Sequence, residues 1–182
     1  MIKGLISVIW TMLKFICLKI CYGTYFSFCG IQRFSPNTVV SLDRGGTLHL
    51  GKSVRAHSGT KIRVRRGAVI SIGNDVAFNY NCMITARESI QIGDGCEIGP
   101  GVLFYDHDHD FHGHSIKESL YRTASVKLGK NVWIGANAVI LRGTEIGDDS
   151  VVAAGTVVRA GVYPANSLIR EEKKMIVSAI IK

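Results

Sequence analysis

The sequence predicts an all-β solenoid, a parallel β-helix of short coils, from three observations: a period of six residues, its long unbroken run, and its traces further upstream. From Leu128 to Tyr163 the chain reads LGKNVW, IGANAV, ILRGTE, IGDDSV, VAAGTV and VRAGVY, with an aliphatic residue opening each hexad at Leu128, Ile134, Ile140, Ile146, Val152 and Val158. A helix repeats near 3.6 and a half-buried strand near 2, so a strict six requires a short strand plus a corner. The fifth position of each hexad (Val132, Ala138, Thr144, Ser150, Thr156, Val162) is small or β-branched and is expected to point inward, while nearby Gly, Asn and Asp turn the chain. Three hexads make one triangular coil, and coils stacked about 4.8 Å apart pair in parallel.

The register extends upstream through Ile92, Ile98 and Phe104, through Ile72, Phe78 and Ile84, and through a weaker first coil at Leu50, Ala56 and Ile62. Surplus residues from Ala68 to Ser71 and at Ile90 and Gln91 are expected to bulge at corners. The expected boundaries are an N-terminal apolar helix over 1–30, the solenoid over 31–163 with a loop at 105–126, and a cap over 164–182. In that cap Arg170 to Lys182 is expected to close the open end as a short helix.

The 182 residues suit one domain, and no linker divides them. The net charge of +8 is an N-terminal property: residues 1–70 hold eleven Lys and Arg against Asp43 alone. Arg33, Arg44, Lys52, Arg55, Lys61, Arg63, Arg65 and Arg66 suit anionic lipid headgroups or a diphosphate-linked substrate, with a solvated face as the bland alternative. Nucleic acid is not expected, because no recognition motif accompanies the charge. The five cysteines show neither a CxxC pair nor metal-ligand spacing and read as reduced, buried small hydrophobes of a cytosolic protein. Cys82 and Cys96 occupy inward fifth positions, so neither is expected to be a nucleophile.

Residues 1–30 read as a helix with Lys3, Ser7, Thr11 and Lys14 on one narrow stripe and Leu5, Ile6, Ile9, Trp10, Met12, Leu13, Phe15 and Ile16 around the rest. Lys14 and Lys19 interrupt the charge-free run of about 18 residues that a spanning helix needs. A helix lying in the plane of a membrane is the favoured reading, and one packed on a neighbouring subunit is the alternative. A secretory signal is disfavoured, since no small-x-small cleavage site follows.

The hexad phase breaks once, between Phe104 and Leu128, and insertions in solenoids emerge on one face, often the binding face. This stretch carries His107, His109, His112 and His114 beside Asp106, Asp108 and Asp110. An imidazole there can act as a general base near neutral pH, several His and Asp can hold a metal ion, or the stretch can be a merely polar surface loop; the residues leave all three open.

Six segments in order carry a resemblance: Phe78-Asn79-Tyr80-Asn81, Ile92-Gly93-Asp94, Ile98-Gly99-Pro100-Gly101-Val102, His109, the run VKLGKNVWIG from Val126 to Gly135, and Ala153-Ala154-Gly155. Over about residues 70–167 the chain resembles the hexapeptide-repeat acyltransferases, in the sugar O-acetyltransferase branch with the maltose, galactoside, nodulation-factor, capsule and O-antigen enzymes. The resemblance implies a left-handed coil, where general rules for parallel crossovers favour the right hand. It also implies a homotrimer with sites between subunits, acetyl-CoA as acyl donor and no resident metal. His109 would be the catalytic base, with Asn79, His107 and Tyr121 on the acceptor side and Trp133, Ala136 and Ala154 along the coenzyme; Arg159, which departs from the family's pattern, is expected on its own account to meet the coenzyme's phosphates.

The departures bear on the acceptor. Arg87 stands where galactoside-type enzymes carry an acidic residue, Arg159-Ala160 replaces a Thr-Lys pair, and the usual ending survives only as Pro164-Ala165-Asn166-Ser167. The expected acceptor is therefore a surface-polysaccharide sugar or its lipid-linked precursor, met in the cytoplasm or at the inner membrane's cytoplasmic face. Serine O-acetyltransfer and amino-sugar N-acetyltransfer are the alternatives within acyl transfer. Outside it stand a metal site like that of γ-type carbonic anhydrases and a non-catalytic scaffold.

Overall fold

Alternating inward aliphatics and outward polar residues give strands of two to four residues, too short to be stable until stacked. A computed structural model describes residues 2–112 and 115–172, and the side-chain surroundings of 6–110 and 120–172. Among the described residues these strands form three parallel faces of a prism, with seven strands on the first and second faces and six on the third. The first face runs from Phe26–Phe28 to Gly161–Tyr163, the second from Arg33–Phe34 to Leu168–Ile169, and the third from Val39–Leu42 to Val157–Val158.

Identical positions stack into columns. Leu50, Ile72, Ile92, Leu128 and Ile146 lie in register on the first face. Phe34, Ala56, Phe78, Ile98, Ile134 and Val152 do so on the second. Ile62, Ile84, Phe104, Ile140 and Val158 do so on the third. All are buried, and each fully buried Ile or Phe contributes about 1.5–3 kcal/mol. The second-position glycines serve close approach more than turning. A Cβ on Gly51 would sit 2.6 Å from the Gly73 backbone, so the corners between the first and second faces can stack only without side chains there.

The coils differ in length. Phe28 pairs with Leu50 and Leu50 with Ile72, giving coils of 22 residues, while Leu128 pairs with Ile146, a coil of 18. The surplus residues do not bulge as the sequence predicts. Ile70 and Ser71 lie in the strand Val69–Ile72 and Ile90 and Gln91 in Ser89–Ile92, with Ile70 and Ile90 fully buried as second inward residues. A first coil also precedes Leu50, so the solenoid spans 26–169 rather than 31–163. At the far end Ile146 pairs with Tyr163, one residue short of the hexad rule; Val162 therefore points outward, 77% exposed, against its expected inward place. No helix forms over 170–172, and the rest of the expected C-terminal helix lies outside the described residues.

The N-terminal helix, Ile2–Tyr22, closes the upper end of the core. Phe15 is fully buried, with its ring 4.9 Å from Phe34 and 5.2 Å from Phe26. Ser7, Thr11 and Lys14 of the polar stripe face the solenoid, where they satisfy backbone groups at the open end of the stack. The Thr11 hydroxyl accepts the Phe34 N–H at 2.9 Å, and Ser7 donates to the Phe34 carbonyl at 2.8 Å. Lys14 Nζ donates to Thr38 at 2.7 Å and Lys19 Nζ to Phe26 at 2.9 Å. Burial pushes the Lys14 ammonium below its ordinary pKa. Ile6, Ile9, Trp10, Leu13, Ile16 and Ile20 are left exposed on the opposite side. The segment Ile6–Tyr25 has the length and composition to cross a membrane, yet its polar stripe is bonded to the first coil.

Candidate active site

The insertion after Phe104 leaves the solenoid at the corner between the third and first faces. Alternating residues turn it into an antiparallel β-hairpin of His107–His112 and Ser115–Thr123. His109 stands opposite Tyr121 in register and His107 opposite Thr123. His114 lies outside the described residues, as does the side chain of His112.

Asp106 anchors the hairpin. Its carboxylate is fully buried and accepts the N–H groups of Arg87 (2.8 and 3.0 Å) and Glu88 (2.7 Å), capping the corner of the preceding coil. The same carboxylate lies 2.9 Å from His107 Nδ1. A carboxylate on Nδ1 holds the proton there and leaves Nε2 as the free acceptor. The His107 ring is edge-on to Tyr105 at 5.8 Å and to Tyr121 at 5.5 Å, whereas His109 is exposed and lies 4.7 Å from the Tyr121 ring. The Arg87 guanidinium covers the Tyr121 ring at 3.3 Å from its centre. Further ion pairs fix the arm: Arg142 with Asp108, and Arg122 with Asp110 at 2.8 Å.

His107, His109 and Tyr121 thus converge, and they are joined by Asp106, which the sequence marks as a carboxylate flanking the histidines, and by Arg87, which it marks as a departure at an acceptor-side position. An Asp immediately before His107 was the available signal for Asp106. Arg87 lies 19 residues before Asp106, on the same corner one coil above, and joins the site only through folding. The remaining candidates lie elsewhere on the protomer. Asn79, Ala136 and Ala154 line the corner between the second and third faces, as the pairings around Phe78, Ile134 and Val152 require. Trp133 is outward on the second face, 57% exposed. Arg159 sits on the hairpin's own corner two coils below, paired with Glu171 at 3.5 Å. One protomer therefore carries His109 on a different corner of the prism from Asn79, Ala136 and Ala154.

Cys82 and Cys96 are buried in the core columns, and burial pushes each thiol up to about 11. Cys17, Cys21 and Cys29 are exposed, contrary to the expectation that all five are buried. Among the described residues no three His, Cys, Asp or Glu side chains converge as a metal site would require.

Fold and site together define a parallel β-helix of hexad repeats with a histidine-bearing arm. A family model described as bacterial transferase hexapeptide (six repeats) matches residues 125–160, and one described as hexapeptide repeat of succinyl-transferase matches 58–103. The putative lipopolysaccharide biosynthesis O-acetyl transferase WbbJ of Escherichia coli (strain K12) is 31% identical over 133 residues, covering 68% of this chain and 67% of that protein. The chain belongs to the hexapeptide-repeat transferase family, in its sugar O-acetyltransferase branch, with the left-handed β-helix of that family. The galactoside O-acetyltransferase of the same organism is 35% identical over 98 residues, 54% of this chain and 48% of that protein, so the chain spans about half its length. Among solved structures, a single-site mutant of AntD, an N-acyltransferase from Bacillus cereus, in complex with dTDP-4-amino-4,6-dideoxyglucose and coenzyme A, has a TM-score of 0.69 at 17% identity. It covers 91% of this chain and 89% of its own. At that identity the likeness speaks for the fold alone.

Proposed function

We propose that this protein is an acetyl-CoA-dependent O-acetyltransferase of a surface-polysaccharide sugar or its lipid-linked precursor, working as a homotrimer at the cytoplasmic face of the inner membrane. The observation that carries the reading is the hairpin imidazole pair, His107 and His109 around Tyr121, projecting from a corner of the solenoid. A neighbouring subunit would meet it with the corner bearing Asn79, Ala136 and Ala154. His109 takes the proton of the acceptor hydroxyl as that oxygen attacks the thioester carbonyl; the carbon–sulfur bond then breaks, and the sulfur leaves with a proton returned by the imidazolium. Trp133, Ala136 and Ala154 flank the pantetheine arm, and Arg159 faces the coenzyme's phosphates. Asn79 and Tyr121 hold the sugar. Arg87, a cation beside Tyr121, suits an acceptor other than a plain galactoside.

The Asp106 contact favours a second assignment, in which His107 is the base and His109 the acceptor contact, because only His107 has a carboxylate on Nδ1. Acetyl-CoA turnover with a crude lipid-linked oligosaccharide fraction, compared for His109→Ala and His107→Ala, separates the two: the base is the residue whose loss abolishes kcat rather than raising KM. Mixing inactive His109→Ala and Asn79→Ala subunits should restore activity, since a shared site reassembles in mixed trimers. Absence of restoration in mixed assemblies would exclude a site shared in this way.

A further inference from the structure

We infer that a cavity of about 550 Å³ between the N-terminal helix and the second face binds the diphosphate of a sugar carried on a long-chain lipid. This rests on the acetyltransferase reading and names its acceptor class. The cavity is lined by Ile6, Ser7, Arg33, Arg55, His57 and Tyr80, among others. Arg33 and Arg55 are strand partners in direct register, both pointing outward because Phe34 and Ala56 point in. Like charges opposite one another cost stability unless an anion lies between or beside them. Glu97 pairs with Arg55 at 3.2 Å, and no carboxylate among the described residues forms an ion pair with Arg33. Two guanidinium forks on adjacent strands match the adjacent phosphoryl groups of a diphosphate.

The two ends of the cavity fit the two ends of such a ligand. At one lip stands Ile6, 56% exposed, and from it Ile9, Trp10, Leu13, Ile16 and Ile20 continue along the helix as an apolar face left exposed by the described residues. That face suits an acyl or prenyl chain and the bilayer holding it, and the basic N-terminal coils add attraction for anionic lipid. At the other end the His57 and Tyr80 rings stack with centres 4.8 Å apart, and Tyr80 immediately follows Asn79. The sugar would therefore leave the diphosphate beside a pair of aromatic rings and arrive at the corner carrying the acceptor asparagine.

The test is anisotropy of a fluorescent C15 prenyl diphosphate titrated with the full-length protein, with inorganic diphosphate and UDP-N-acetylglucosamine as competitors. The prenyl diphosphate is expected to bind at least tenfold tighter than either competitor. Arg33→Gln/Arg55→Gln should weaken it at least tenfold while CoA binding is unchanged. Ile6→Gln, at an exposed position, should weaken the prenyl ligand and leave inorganic diphosphate alone. Unchanged affinity in the double variant overturns the site, and a nucleotide sugar that competes as well as or better than the prenyl ligand overturns the lipid-linked class. Failure here with acetyl transfer to a free sugar intact removes only this site; prenyl diphosphate binding without any acyl transfer removes the enzymatic reading instead.

Discussion

The coils above the hairpin and those below it build the same prism from different lengths of chain. Above, coils of 22 residues have four-residue strands on the first and third faces, each with two inward residues, such as Ile62 and Val64 or Ile70 and Ile72. Below, an 18-residue coil manages with strands of two or three. Only the lower part shows a clean period of six. The difference teaches that stacking, not spacing, defines this fold. Each strand needs a partner directly above and below it, and the corner between the third and first faces can absorb any surplus. That corner takes four residues at 43–46 and the entire hairpin at 106–125.

The largest effect expected is on catalysis, at the most elaborate version of that corner. His109→Ala should lower the acetyl-transfer rate by about 10²–10⁴-fold without moving the melting temperature, read from CoA release and thermal unfolding. An equal loss confined to His107→Ala would move the base two residues along the same strand and sharpen the role of Asp106.

Corner tolerance can be broken directly. Four residues inserted after Arg44, on the permissive corner where the Gly46 N–H bonds back to the Asp43 carbonyl, should cost about 1 kcal/mol or less in denaturant unfolding, because loop-closure entropy rises slowly with length. The same insertion after Asn137 should cost several-fold more. There the Asn137 N–H bonds the Pro100 carbonyl and the Gly155 N–H bonds the Ala136 carbonyl, each at 2.8 Å, so the corner belongs to the inter-coil ladder. Equal costs at both corners would refute the distinction.

A smaller effect is expected at the cap. Thr11→Val removes the acceptor for the buried Phe34 N–H and should cost about 1–3 kcal/mol, measured by urea unfolding. A value near zero would mean that the helix covers the first coil without being bonded to it.

The least disruptive test compares cysteines. At pH 8 a thiol reagent should modify Cys17, Cys21 and Cys29 rapidly in the folded protein, and Cys82 and Cys96 only after unfolding. The buried pair ionises at about 11 when folded, against 9.0 for an ordinary thiol. Their contribution to stability is therefore complete below pH 9 and is lost as pH rises from 9 through 11. Fast labelling of all five at pH 8 would show that the core columns open.

Sequence alone determined the solenoid, because hexads repeat only where a strand and a corner repeat. It also singled out the hairpin histidines, because one long break in a strict register is conspicuous. Tertiary structure decided what periodicity cannot encode. The 22-residue coils and the first coil at Phe26 depend on pairing in register, which tolerates any corner length. Val162 turns outward because the last coil is one residue short, a slip invisible within its own hexad. The Asp106 cap joins residues 19 positions apart, and Arg87 reaches Tyr121 further along the chain, both through a single corner of the prism. The N-terminal helix is the clearest case. Its stripe of Lys, Ser and Thr was legible, but a hydroxyl can serve water or a bare strand edge equally well. Only the open first coil, with its unpaired backbone groups, turned that stripe inward and the isoleucines out.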